Sequence, residues 1–186
     1  SGIYSAHLSP IQKIETKIID NFEKNIKYFE EFQPEIYSML ASLDSAIDQG
    51  VYQNKYELIF YNNYFNLKEL KTGNLFYSEN SNKYAFEVSE IFKEKTGNFV
   101  FFGVGLGVHL ERVHKNILAK KCFIIENDLE LFKLSTFVTP YFKFAETSEL
   151  FFSVFEDDDV FFRKGIDFIN KSNEEKEIFK HFALND

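Results

Sequence analysis

Over the first fifty residues apolar positions recur every three or four residues. Further on they gather into short unbroken runs, and that change of period organises the chain. Ile11, Ile14, Ile18, Phe22 and Phe29 lie at helical spacing. They follow Ser9-Pro10-Ile11-Gln12, where Ser9 can cap, Pro10 suits the first helical position and Gln12 completes a capping box. Pro34 opens a second helix, with Ile36, Leu40, Leu43 and Ile47 on one face and Gly50 as its stop. Residues 1–50 therefore read as a helical hairpin whose role is packing.

From Tyr56 to Ser78 the chain is rich in β-formers and is broken at Asn62-Asn63 and at Thr72-Gly73-Asn74. That predicts short strands joined by turns. Asn80-Ser81-Asn82 then leads into a helix over roughly Tyr84 to Lys95, ended by Gly97. Residues 51–97 form a small antiparallel β-meander plus a helix in this reading.

Residues 98–186 alternate between the two periods. Phe99 to Phe102, Lys121 to Glu126 and Leu150 to Phe155 read as strands. Val108 to Leu118, Leu129 to Val138 and Asp157 to Asn170 read as helices. The runs FVFF and CFII lack polar alternation, as strands buried on both faces do. Ser172-Asn173-Glu174-Glu175 is read as the cap of a last helix carrying Ile178, Phe179 and Phe182. The expected fold is α/β: a short parallel Rossmann-like sheet with right-handed crossovers, preceded by the helical hairpin and the meander.

Composition changes this picture at a few points. A formal net charge of -8 argues against a general phosphate-backbone binder, so no nucleic-acid partner is expected. Cys122 stands alone and cannot form an internal disulfide, which fits a reducing compartment. No apolar run is long enough to span a membrane, and no secretory signal opens the chain. Ser1-Gly2 lack an initiator Met, so the chain reads as a fragment. The 24 Phe accompany many Lys, Asn and Ile, as AT-rich coding DNA produces, so aromatic abundance alone marks no ligand box.

The chemistry concentrates in NFVFFGVGLGVHLERVHKNILAKKCFIIEND. Gly103, Gly105 and Gly107 follow a strand and precede a helix. Glycine there permits a tight turn and lets a phosphate or ribose approach the helix N-terminus. Glu126, at the end of the next strand, stands where a carboxylate reaches ribose hydroxyls. The spacing is G-x-G-x-G, closer to the turn of methyltransferases that bind S-adenosylmethionine than to the dinucleotide fingerprint. The bland alternative is a close turn whose acid caps the next helix. His109 projects from the turn, whereas His114 is five positions on and off the helical metal-pair spacing. His7 and His181 stand alone. Glu156-Asp157-Asp158-Asp159 could hold a divalent cation, but such runs are more often helix N-terminal charges, and no metal is expected.

The segments FFGVGLGVHLERV, CFIIENDLELFKLS and LFFSVFEDDD, in that order, resemble the motility accessory factor (Maf) proteins of flagellated bacteria. The helical hairpin and NLKELKTGNLFYS match that family's amino-terminal region in order and character, so the resemblance covers nearly the whole chain. It implies a cytoplasmic flagellin glycosyltransferase that moves pseudaminic or legionaminic acid from a CMP-activated sugar to Ser or Thr of flagellin, for filament assembly and motility. It also implies that the transferase centre lies downstream, with flagellin and the remaining domains of the same protein as partners. Gly103, Gly105, Gly107 and His109 match the family's turn, and Glu126 and Asp128 its acidic strand end. If chemistry occurred in this part, Glu126 or Asp157 would be the candidate base for the acceptor hydroxyl. The alternatives are an S-adenosylmethionine-dependent methyltransferase, for which few strands remain, and a non-catalytic interaction module.

Overall fold

A computed structural model describes residues 10–93, 97–174 and 179–184. The hairpin forms as its spacing dictates, from α1 (Pro10–Phe32) and α2 (Pro34–Asp48). Pro34 begins the second helix and Gly50, at φ 72°, follows its end. The predicted Ser9 cap lies outside the described residues. β1 (Tyr56–Tyr61) and β2 (Tyr64–Glu69) pair antiparallel with Tyr61 opposite Tyr64. Asn62 and Asn63 both adopt left-handed φ, 52° and 65°, as a two-residue hairpin turn requires. A single bridge from Lys68 to Leu75 extends the pair into the expected meander.

α3 (Ser81–Ile91) starts earlier than predicted because Asn80 caps it, accepting from the N–H groups of Asn82 at 2.8 Å and Lys83 at 3.4 Å. The predicted end at Lys95 lies outside the described residues. β3 (Asn98–Phe102), α4 (Leu110–Ile117), β4 (Lys121–Glu126), α5 (Leu129–Val138) and β5 (Glu149–Val154) follow as expected. A short turn of helix, α6 (Tyr141–Phe144), interrupts the path from α5 to β5. α7 (Asp158–Glu174) and β6 (Phe179–Leu184) complete the order.

The last helix of the sequence reading is corrected. Ser172 does not cap a new helix. It lies inside α7, where its hydroxyl accepts from Asn98 Nδ2 at 2.9 Å. Phe179 and Phe182 belong to β6, which pairs parallel with β3, and Ile178 lies outside the described residues. A short apolar run suits either period, and here the free edge of β3 selects the strand.

The sheet has the order β5-β4-β3-β6 and is parallel throughout. Three strands step one way and the fourth crosses back, as in the first four strands of a doubly wound fold. On one face Phe99, Phe101, Ile124, Phe152 and Val154 pack with Phe29 of α1, Leu40 of α2, Leu110 of α4 and Phe132 of α5. On the other, Val100, Phe123 and Ile125 pack with Phe168 of α7. Asn25 pins α1 to the far end of α5. Its Nδ2 donates to the carbonyls of Thr136 and Thr139, each at 2.8 Å, and its Oδ1 accepts from Phe142 N–H at 3.1 Å.

Candidate functional site

The glycine turn closes around itself. Gly103, Gly105 and Gly107 all have positive φ, 74°, 57° and 71°, which L residues with a Cβ adopt only under strain. The N–H of Gly103 donates to Ile125 O at 3.0 Å and that of Gly107 to Val104 O at 2.8 Å. Gly105 N–H donates to Glu126 Oε1 at 2.9 Å, and Leu106 N–H to the Tyr77 hydroxyl at 3.2 Å. These four donors are therefore engaged by the protein. Leu106 is buried with Leu67, Tyr77 and Leu131, so the meander sits on the turn as a lid of side chains. Behind it, a Cβ on Gly107 would overlap the Thr139 hydroxyl, which donates to Leu106 O at 2.7 Å.

The acids at the end of β4 are equally occupied. Glu126 is buried, and its Oε2 accepts from Asp128 N–H at 3.0 Å while Oε1 holds Gly105. Burial pushes its carboxyl above the ordinary range, against the lowering by the backbone N–H groups of Asp128, Gly105 and Asn127. Asp128 caps α5, accepting from Glu130 and Leu131 N–H at 3.0 and 3.1 Å, and its Oδ2 pairs with Lys55 Nζ at 2.7 Å. Glu130, which the sequence reading did not single out, anchors the start of β1. Its carboxylate accepts from the Tyr52 hydroxyl at 2.7 Å, Lys55 N–H at 2.9 Å and Tyr56 N–H at 2.9 Å.

His109 stands at the head of α4, fully buried between the rings of Tyr84 and Phe101, at 5.8 and 6.1 Å. Among the described residues neither ring nitrogen has a partner. Desolvation lowers its pKa to about 3. The folded state thus keeps His109 neutral, while the unfolded state protonates it below about 6.5. Stability from this site is complete above pH 6.5 and falls by about 1.4 kcal/mol per pH unit as pH drops toward 3. Glu126 runs the opposite way, so the comparison must be with a variant. Urea melts of the parent and of His109→Leu at pH 7 and pH 4.5 are expected to differ in their pH response by about 2.7 kcal/mol. Equal pH responses would refute a neutral buried His109.

The other candidates lie apart. His114 Nε2 and Ser148 Oγ are 2.7 Å apart, and Ser148 donates onward to Ala119 O. Cys122 is buried, and burial pushes its thiol up to about 12. In the acidic run, Asp157 accepts from Val160 N–H at 2.9 Å at the start of α7, and Glu156 pairs with Lys164 Nζ at 2.7 Å. Among the described residues no group of three or more His, Cys, Asp or Glu is placed to hold a metal ion. No helix among them is long and apolar enough to cross a membrane. Outside the turn, a groove of about 630 Å³ runs between α3 and α4, bordered by Asn82, Phe86, Val108, Arg112 and Lys115.

Residues 61–176 match the family described as the glycosyltransferase Maf N-terminal domain. The chain belongs to this family. Among solved structures, the Maf glycosyltransferase from Magnetospirillum magneticum AMB-1 superposes with a TM-score of 0.61 at 12% identity. The alignment covers 89% of this chain and 32% of that protein, so the Maf domain described here spans about a third of the length of its solved relative. At that identity the likeness is one of fold. No curated protein matches the chain.

Proposed function

We propose that this Maf domain is the amino-terminal support of a flagellin glycosyltransferase. The whole protein transfers a nonulosonic acid, pseudaminic or legionaminic, from a CMP-activated donor to Ser or Thr of flagellin in the cytoplasm. In this reading Gly103, Gly105, Gly107 and Glu126 hold the strand-to-helix turn in shape. His109 fills its base, Asp128 caps the next helix, and donor chemistry takes place in polypeptide beyond this domain. One observation carries the reading. The N–H groups of Gly103, Gly105, Leu106 and Gly107, which would cradle a phosphate, are bonded to Ile125, Glu126, Tyr77 and Val104.

Titration calorimetry tests it. The 186-residue chain is expected to give no binding heat with CMP or with S-adenosylmethionine at millimolar concentration. CMP binding abolished by Gly105→Val would place a donor site at the turn and overturn the supporting role. Binding of S-adenosylmethionine would favour a methyltransferase instead.

A further inference from the structure

The two faces of the sheet are covered unequally. Helices α1, α2, α4 and α5 contribute to the core on one face, while among the described residues α7 is the helix packed on the other. α7 is apolar along two lines. Phe161, Lys164, Phe168 and Ser172, at helical spacing, face the sheet and are buried or half-buried. A second line, Phe162, Ile166 and Ile169, is 62%, 58% and 44% exposed. At about 100° per residue Phe162 and Ile169 lie roughly a quarter to a third of a turn from the first line, on the flank of the helix, and Ile166 lies farther round, toward its outer side.

The direction of that flank follows from handedness. The strands are parallel, and the chain crosses over α7 from β5 at one edge to β6 at the other. α7 therefore runs antiparallel to the strands, in front of a sheet that reads β5, β4, β3, β6 from left to right. A right-handed helix descending there turns residues 162 and 169 toward the β6 side. Phe102, at the end of β3 on this same face, is 37% exposed and meets Phe161 with ring centroids 5.7 Å apart. Phe102 and the flank of α7 thus leave an apolar corner next to β6, the edge strand of the described sheet.

We infer that this corner seats a helix from the polypeptide that follows β6 in the longer protein. That helix lies alongside α7 and leads to a fifth parallel strand on the outer edge of β6. The topology favours this occupant. Any further strand outside β6 is reached by a right-handed crossover, which places its helix on the α7 face next to α7. The length of the family's solved member agrees, since about two thirds of it has no counterpart in this chain. The inference rests on the proposal that the transferase polypeptide continues beyond this domain.

Thiol labelling tests it. Cys122 is buried and unreactive, so a cysteine placed on the surface reports alone. Phe162→Cys and, as a reference on the hairpin side, Val51→Cys are labelled with a maleimide in the 186-residue chain and in the whole protein. In the short chain both are expected to react at the rate of an exposed thiol. In the whole protein Phe162→Cys is expected to slow by about tenfold or more relative to Val51→Cys. Equal rates in the two proteins would overturn the inference. So would concentration-dependent protection already present in the short chain, which would make the occupant a second copy. Flagellin transfer is assayed on the same preparations. Transfer with Phe162→Cys still reactive sinks the docking alone, and protection without transfer sinks the transferase proposal alone.

Discussion

Replacing Gly107 by alanine is expected to destabilise the domain by about 4 kcal/mol and to lower its melting temperature by about 10 °C. Two effects add. The backbone sits at φ 71°, where a Cβ brings strain of about 1–2 kcal/mol. The new Cβ would also overlap the side chain of Thr139, whose hydroxyl holds Leu106 O in the interior. Pushing Thr139 aside leaves a buried donor and a buried carbonyl unpaired, at about 1–3 kcal/mol. Gly73 supplies the control, with φ 75° and nothing near its added Cβ. Gly73→Ala should show the backbone strain alone, about 1–2 kcal/mol. In a Thr139→Ala background, Gly107→Ala should fall toward that value, because the hydroxyl contact is gone and only the Cβ of residue 139, at 3.2 Å, remains. Equal melting shifts for Gly107→Ala and Gly73→Ala in the parent would show that the Thr139 contact does not form.

Glu130→Ala is expected to cost about as much, roughly 4 kcal/mol, for a different reason. Glu130 is 3% exposed, and its carboxylate takes the Tyr52 hydroxyl and the N–H groups of Lys55 and Tyr56. Its removal strands these donors where the meander meets α5. Tyr52→Phe removes only the hydroxyl, while the carboxylate keeps both backbone donors, so about 1 kcal/mol is expected. Hydrogen exchange should show the β1 and β2 amides opening in Glu130→Ala before the sheet amides do. If Glu130→Ala melts with Tyr52→Phe, the two backbone donors are held by something else.

Both predictions concern contacts between residues far apart along the chain, and this is where sequence reasoning ends. Leu106 N–H finds Tyr77, 29 residues earlier, and Leu106 O finds Thr139, 33 residues later. Tyr77 and Thr139 carry no local signal, being one aromatic among many and one threonine before a proline. Glu130 sits in the first turn of α5, where an acid is expected for the helix dipole alone. Its partners come from 74 to 78 residues away. The apolar flank of α7 was equally hidden. Phe161 and Phe162 are the same residue type, yet one touches the sheet face and the other is exposed, and only the placement of the sheet separates them.

By itself the sequence determined what is settled within a few residues. This includes the hairpin stop at Gly50, the two-residue turn at Asn62-Asn63, the strand-turn-helix frame around Gly103 to Gly107, and the helix from Leu129 to Val138. Backbone conformation, capping and hydrophobic period are local, so they can be read residue by residue. The tertiary structure decided the rest: that Phe179–Leu184 is a strand against β3, that Glu126 faces the amide of Gly105, and that a lid of side chains covers the turn. Those outcomes depend on which donors and which apolar surfaces meet after the chain has folded back on itself. A buried N–H takes an acceptor wherever the fold supplies one, and distance along the chain has no part in that choice.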